Sequence, residues 1–210
     1  MAMNTEMQSA RDDLAYMRAL VSEGGRFQLV GGQLFFWAGL IYGLQCVGHW
    51  LNIVGLLPLP PLGLLALGFG PTLVFLVVLV MVLWHLRKTP QASGVGSRAM
   101  GAVFQGAGLA NLVMAFVFAY GATTMHNNVI WLYQPVVVCM FQGVAWYVAW
   151  TIRRRAWLAV VSAGWFATTV VCGVLITNAA YFILTLGVAL ILFMALPGYA
   201  MMRDGRTAAA

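Results

Sequence analysis

Of the 210 residues, 62% are hydrophobic and only 8% are charged, whereas a soluble domain carries about 25% charged residues to cover its water-facing surface. The mean hydropathy of +0.89 excludes an ordinary soluble globule. The formal net charge of +6 would direct a soluble protein toward nucleic acid, but in so apolar a chain the bilayer is the expected anion, and no nucleic-acid partner is expected.

The amino-terminal segment, residues 1–25, has mixed charge and lacks the short apolar core and small-residue cleavage site of a removable signal. Ser9 followed by Asp12 resembles a capping box, and Leu14, Met17 and Val21 recur at helical spacing. The pattern predicts a short amphipathic helix on the inner membrane surface, broken by Gly24 and Gly25. A docking helix for a cytoplasmic partner is the alternative.

Six apolar runs follow: Phe27 to Leu51, Leu62 to Leu86, Ala99 to Ala122, Val129 to Ile152, Ala156 to Leu175 and Ala179 to Met202. Crossing the hydrocarbon takes about 20 apolar residues, and the backbone there must satisfy its own hydrogen bonds, which makes each run a helix. The expected fold is an all-α membrane protein with six transmembrane helices, arranged as three hairpins in one bundle over residues 26–203. A short cytoplasmic tail, 204–210, completes it.

Span one carries Gly39 and Gly43, a G-x-x-x-G step that lets two helices approach closely. Tyr42, Gln45, His49 and Asn52 share one of its faces in the outer half. Span two has prolines 58, 60 and 61 at its outer mouth, then Gly68, Gly70 and Pro71 inside, where a kink is expected. A broken helix lining a cavity is the functional alternative. Span three spaces Ala102, Gly106 and Ala110 four residues apart, which serves packing inside the bundle or in a homodimer. Its Gln105 and Asn111 read as interhelical hydrogen-bond partners.

The outer connection TTMHNNVIWLYQP offers His126, Asn127, Asn128, Tyr133 and Gln134. Asn128 and Asn178 stand where helix amino-terminal caps belong, and Trp50 and Trp131 where interfacial anchors do. What remains is a candidate ligand-binding cluster of Tyr42, Gln45, His49, His126 and Gln134, suited to a small polar or amphipathic molecule. The competing reading is a wet interface bonded between helices.

The charges order this array. Arg11, Arg18 and Arg26 precede span one; Arg87, Lys88 and Arg98 separate spans two and three. Arg153, Arg154 and Arg155 separate spans four and five, and Arg203 and Arg206 follow span six. The other three connections have no basic residue. Short loops rich in Lys and Arg stay cytoplasmic, so WTIRRRAW (150–157) reads as a turn at the inner surface of a bacterial-type plasma membrane, with both termini cytoplasmic. A base before each odd span and an aromatic before the base after each even one give an apparent repeat. Positive-inside loops with interfacial aromatics explain it without duplication.

All five acids lie on the same side as the bases, and no carboxylate, lysine or arginine falls inside a span. That pattern argues against proton-coupled carriers, which depend on a titrating intramembrane group, and against retinal proteins, which need an intramembrane lysine. No catalytic constellation is visible, so the chain is read as a non-enzyme. His49 with His126 could form a bis-histidine haem site, and Cys46, His49, Met125 and His126 a copper(I) site. Neither has diagnostic spacing, so no cofactor or metal is assigned. Cys46, Cys139 and Cys172 imply no disulfide framework.

These features point to a bundle that binds or passes a small neutral or amphipathic molecule near its outer half. One alternative is an accessory or assembly subunit of a larger membrane complex, with membrane lipids and a homo-oligomer as the remaining partners. The other is a haem- or quinone-binding redox protein. In sealed cells, cysteines replacing Asn127 and Asn178 are expected to react with an impermeant external reagent, and one replacing Arg154 is not. External labelling at position 154 would invert the assigned orientation.

Overall fold

The computed structural model describes residues 29–87 and 95–207; the amphipathic segment expected over residues 1–25 lies outside them. The elements are α1 (Leu29–Ile53), α2 (Pro61–Arg87), α3 (Val95–Thr124), α4 (Val129–Arg153) and α5 (Ala156–Val174). After α6 (Ala179–Leu190), a π-helical turn (Ile191–Ala195) leads without interruption into α7 (Leu196–Thr207). The sixth apolar run is therefore one long span with a π-turn inside it. No strand occurs among the described residues, and six helices are long and apolar enough to cross a membrane. This is a multi-pass membrane protein.

The π-turn has a local cause. Pro197 has no N–H to offer the carbonyl of Phe193, and its ring crowds that carbonyl. Widening the preceding turn relieves the crowding, with Leu196 N–H donating to Ile191 O in place of an α-helical partner. Trp165 of α5 supplies a substitute donor, its Nε1 lying 3.0 Å from Phe193 O. Gly164 makes room for this arrangement: a Cβ there would lie 2.4 Å from the Phe193 ring.

The first and last spans touch backbone to backbone. A Cβ on Gly39 would fall 2.4 Å from Ala195 N and 2.7 Å from Leu190 O, and one on Gly198 would fall 2.4 Å from Phe36 N. Gly43 faces Gly187 O and Ile191, and Gly187 in turn faces Cys46. The pairing of 32 with 198 and of 43 with 187 runs antiparallel. Gly39 and Gly43 thus serve close packing as their spacing predicts. In α3, by contrast, Gly106 has nothing within 4 Å of its would-be Cβ, Ala102 is exposed and Ala110 half-buried. That stripe meets no close neighbour within the chain.

Side chains fill the core at the end of the bundle nearer the α4–α5 turn. Met100, Trp146, Leu158, Val161, Trp165 and Met201 are buried there. The rings of Phe35, Phe104, Trp146 and Trp157 join α1, α3, α4 and α5, with centroids 4.9–6.1 Å apart. The Ser162 hydroxyl donates to Gly143 O at 2.9 Å across the α4–α5 contact.

WTIRRRAW is a turn in which only Arg154 and Arg155 lie outside helices. Arg154 closes α4 in the left-handed region (φ 53), its N–H bonded to Trp150 O. Each flanking arginine reaches a different helix: Arg153 Nε donates to Met100 Sδ of α3 at 3.1 Å, and Arg155 pairs with Asp204 of α7.

Substituting Gly39 or Gly198 by alanine should force the first and last spans apart. Overpacking of this kind costs about 1–3 kcal/mol, to be read as a lower thermal midpoint in detergent. Gly106→Ala, with open space at its Cβ, should leave the midpoint unchanged.

Candidate functional site

The polar face of α1 packs on α2. Gln45 Nε2 donates to Gly68 O at 3.0 Å, the Tyr42 and Phe75 rings lie 5.5 Å apart, and Gly48 sits against Leu67. At the α1–α2 connection Asn52 Oδ1 accepts from Leu59 N at 3.0 Å. The Gln45 bond falls one residue from the carbonyl that Pro71 leaves without a helical donor. Pro71 removes the donor that Leu67 O would use and crowds this turn, and the Gln45 amide supports the adjacent carbonyl. α2 remains one helical element across these residues, which gives a supported helix rather than a broken one.

The other members of the sequence-derived cluster stand elsewhere. His126 is exposed in the turn between α3 and α4, with φ 49. Gln134 is half-buried on α4, and His49 half-buried on α1. Among the described residues no hydrogen bond, ion pair or ring contact joins Tyr42, Gln45 or His49 to His126 or Gln134. No group of three or more His, Cys, Asp or Glu side chains comes together among the described residues either, and all three cysteines are free.

The expected caps divide. Asn178 Oδ1 accepts from Tyr181 N at the start of α6. At α4 the bond is made by Asn127, whose Oδ1 accepts from Val129 N at 3.0 Å. Asn128 already has helical backbone angles (φ −65, ψ −16) and makes no side-chain cap bond, so the residue before it takes the role.

A different polar group lies deeper. Asn111 Oδ1, Gln142 Oε1 and Trp146 Nε1 are buried, each without a hydrogen-bond partner. Asn111 is near the middle of α3, and Gln142 near the middle of α4. Two contacts fix the antiparallel register of these helices: Arg153 with Met100 at one end, and Gly121 with Ile130 at the other. That register brings Asn111 level with Gln142. Trp146 follows Gln142 by four residues and so projects from the same face, one turn toward the arginine end. It is fully buried. Sequence reading assigned Asn111 an interhelical hydrogen bond, but its carbonyl oxygen has none. Gln142 and Trp146 were not singled out, because an amide and an indole in an apolar run carry no spacing signal.

An unpaired buried donor or acceptor costs about 1–3 kcal/mol, so each of these three atoms gains from a further partner. The two carbonyl oxygens call for donors and the indole N–H for an acceptor. A single uncharged molecule bearing both types of group could satisfy all three. Comparison with protein families, curated proteins and solved structures yields no match, and the functional reading rests on these residues.

The Gln45 bond has a measurable worth. Gln45→Leu removes the donor to Gly68 O and should lower the detergent thermal midpoint by the equivalent of about 0.6 kcal/mol, the average for intramembrane side-chain hydrogen bonds. His49→Leu, which loses no hydrogen bond, should shift it less.

Proposed function

We propose that this chain is a non-enzymatic inner-membrane protein, with both termini cytoplasmic, whose bundle binds or passes a small neutral or amphipathic molecule. The observation that carries this reading is the trio of buried polar atoms without partners on Asn111, Gln142 and Trp146. On this proposal the ligand sits near mid-depth between α3 and α4, and the outer cluster contributes through Gln45, which holds α2 against α1. The α1–α2 contacts and the α3–α4 register support pairing of the spans as hairpins. The segregation of basic residues to alternate connections supports the orientation.

A second reading, an accessory subunit or homo-oligomer, is favoured by one specific observation. The most apolar stretches of α2 and α3 contain no buried residue. On α3, Ala102, Gly106, Leu109, Val113, Phe116 and Tyr120 recur at alternating steps of four and three and are all exposed. Such a face suits another helix as well as it suits lipid.

The test is native mass spectrometry and optical absorbance of gently extracted protein, wild type against Asn111→Leu and Gln142→Leu. The ligand reading expects a small uncharged molecule that the wild type retains and both variants lose. If the sites are only unpaired polar atoms, both variants should melt higher, because each removes an unsatisfied group worth about 1–3 kcal/mol, with no change in bound molecules. That outcome, or stoichiometric co-purification of another membrane protein without any small molecule, would shift the assignment to the second reading. A visible chromophore would support the redox alternative.

A further inference from the structure

Gln105 lies on the face of α3 that turns away from the rest of the chain. It is exposed, and its amide has no hydrogen-bond partner among the described residues. Asn111 marks the midpoint of the span Arg98–Thr124. At a rise of 1.5 Å per residue Gln105 stands about 9 Å from it, inside the roughly 15 Å half-thickness of the hydrocarbon. Water is absent there, so a bare carboxamide facing lipid tails carries the full cost of its unmade bonds. The hydroxyls of Thr123 and Thr124, by contrast, bond to carbonyls of their own helix. Around Gln105 on this face are Gly106, Leu109, Val113 and Phe116, all exposed. A Cβ on Gly106 would meet nothing within 4 Å.

We propose that this face of α3 is a homodimer interface, in which the Gln105 amides of two copies of this chain bond to each other. The inference deepens the second reading above and rests on it. It is independent of any ligand at Asn111 and Gln142.

Self-complementarity selects a second copy as the partner. Copies of one chain insert with the same orientation, so a two-fold axis along the membrane normal sets their α3 helices parallel. Each residue on that axis then lies level with itself. A carboxamide carries both donor and acceptor, so two at one level pair reciprocally, N–H to oxygen in each direction. A different membrane protein would need a matching polar group at the same depth; a second copy has one by symmetry. The chain itself offers none nearby, because the half of α2 at this end, residues 73–84, has no side-chain hydrogen-bond group before Trp84. Gly106 and Ala102 leave room for two backbones to approach, and Leu109, Val113 and Phe116 continue the contact toward the α3–α4 turn. Arg98 shares this face one heptad earlier, at the end of the span. Helices that cross at Gly106 diverge toward that end, where each long guanidinium side chain reaches lipid phosphates instead of its copy.

The test is energy transfer between donor- and acceptor-labelled copies in phosphatidylcholine vesicles, at decreasing protein-to-lipid ratio. Labels are attached at Asn127→Cys, an exposed position, while Cys139 and Cys172 are buried. The wild type should titrate as a dimer. Gln105→Leu should weaken the dimer about eightfold, the worth of two reciprocal bonds at the intramembrane average. Gly106→Ile should abolish it, yet match the wild-type thermal midpoint in detergent at a dilution where both are monomeric, since its side chain enters open space. Copies carrying Leu109→Cys on α3 should cross-link on oxidation in membranes, and copies carrying Leu73→Cys on the exposed face of α2 should not. Dimers that ignore both Gln105→Leu and Gly106→Ile overturn the proposal and leave a homo-oligomer through another face. A monomer at every ratio overturns the proposal and the homo-oligomer together, leaving only an accessory subunit of a different complex. Failure of Leu109→Cys to cross-link also overturns the proposal, and stays decisive even if Gly106→Ile fails to fold.

Discussion

The bundle depends on the contact between its first and last spans. Lipid tails are as apolar as leucine, so helices in a membrane gain nothing by hiding apolar surface from one another; dispersion and short polar contacts must hold them. Both act only over short distances. Gly39, Gly43, Gly187 and Gly198 bring the two backbones close enough that a methyl group at 39 or 198 would lie 2.4 Å from a backbone nitrogen of the opposing helix, well inside van der Waals contact. Leu190 O faces Gly39, Gly187 O faces Gly43 and Gly198 O faces Gly32, in positions suited to Cα–H···O contacts, which recur at close helix interfaces. With the chain's first and last spans fixed, α4 and α5 pack against what remains, and the buried tryptophans 146 and 165 fill the space between them.

Proline governs the next level. Pro197 deprives Phe193 O of its helical donor, and Pro71 deprives Leu67 O in the same way. In each case a polar side chain from another helix reaches the disturbed turn: Trp165 to Phe193 O, and Gln45 to Gly68 O. A helix distorted by proline inside a bilayer has no bulk water to repair it, so the turn adjusts locally or draws polar groups from a neighbouring helix. The requirement ties α1 to α2 and α5 to the last span. It converts two local defects into two specific interhelical contacts.

The spans were legible in the sequence because they depend on length and composition, which a bilayer makes decisive. Gly39 and Gly43 were legible because they fall four apart in an undisturbed helix. Their partners were not. Gly187 and Gly198 lie eleven residues apart, and each has only Ile or Met four positions away, so no small-residue step of four marks the shared face. The stripe Ala102–Gly106–Ala110 shows the converse: its spacing is correct, yet it meets open space in the chain. Spacing reports that close approach is sterically allowed, not that a partner is present. The arginine turn was legible as a boundary between two spans, but the reach of Arg153 to Met100 and of Arg155 to Asp204 depends on which helices lie alongside.

Polar residues were the least legible, and the reason is energetic. In an apolar run, a glutamine that closes a helix–helix contact and one that faces a ligand are the same letter. They differ only in whether a partner already occupies the hydrogen-bonding position. Gln45 has one in Gly68 O, whereas Gln142 Oε1 has none and lies level with the equally unpaired Asn111 Oδ1. A buried group that is satisfied within the protein adds stability and leaves little to offer a ligand. A buried group that is not satisfied weakens the fold unless something else completes it. By this distinction the Gln45 amide on α1 is already engaged, whereas the atoms still open to a partner are those of Asn111, Gln142 and Trp146.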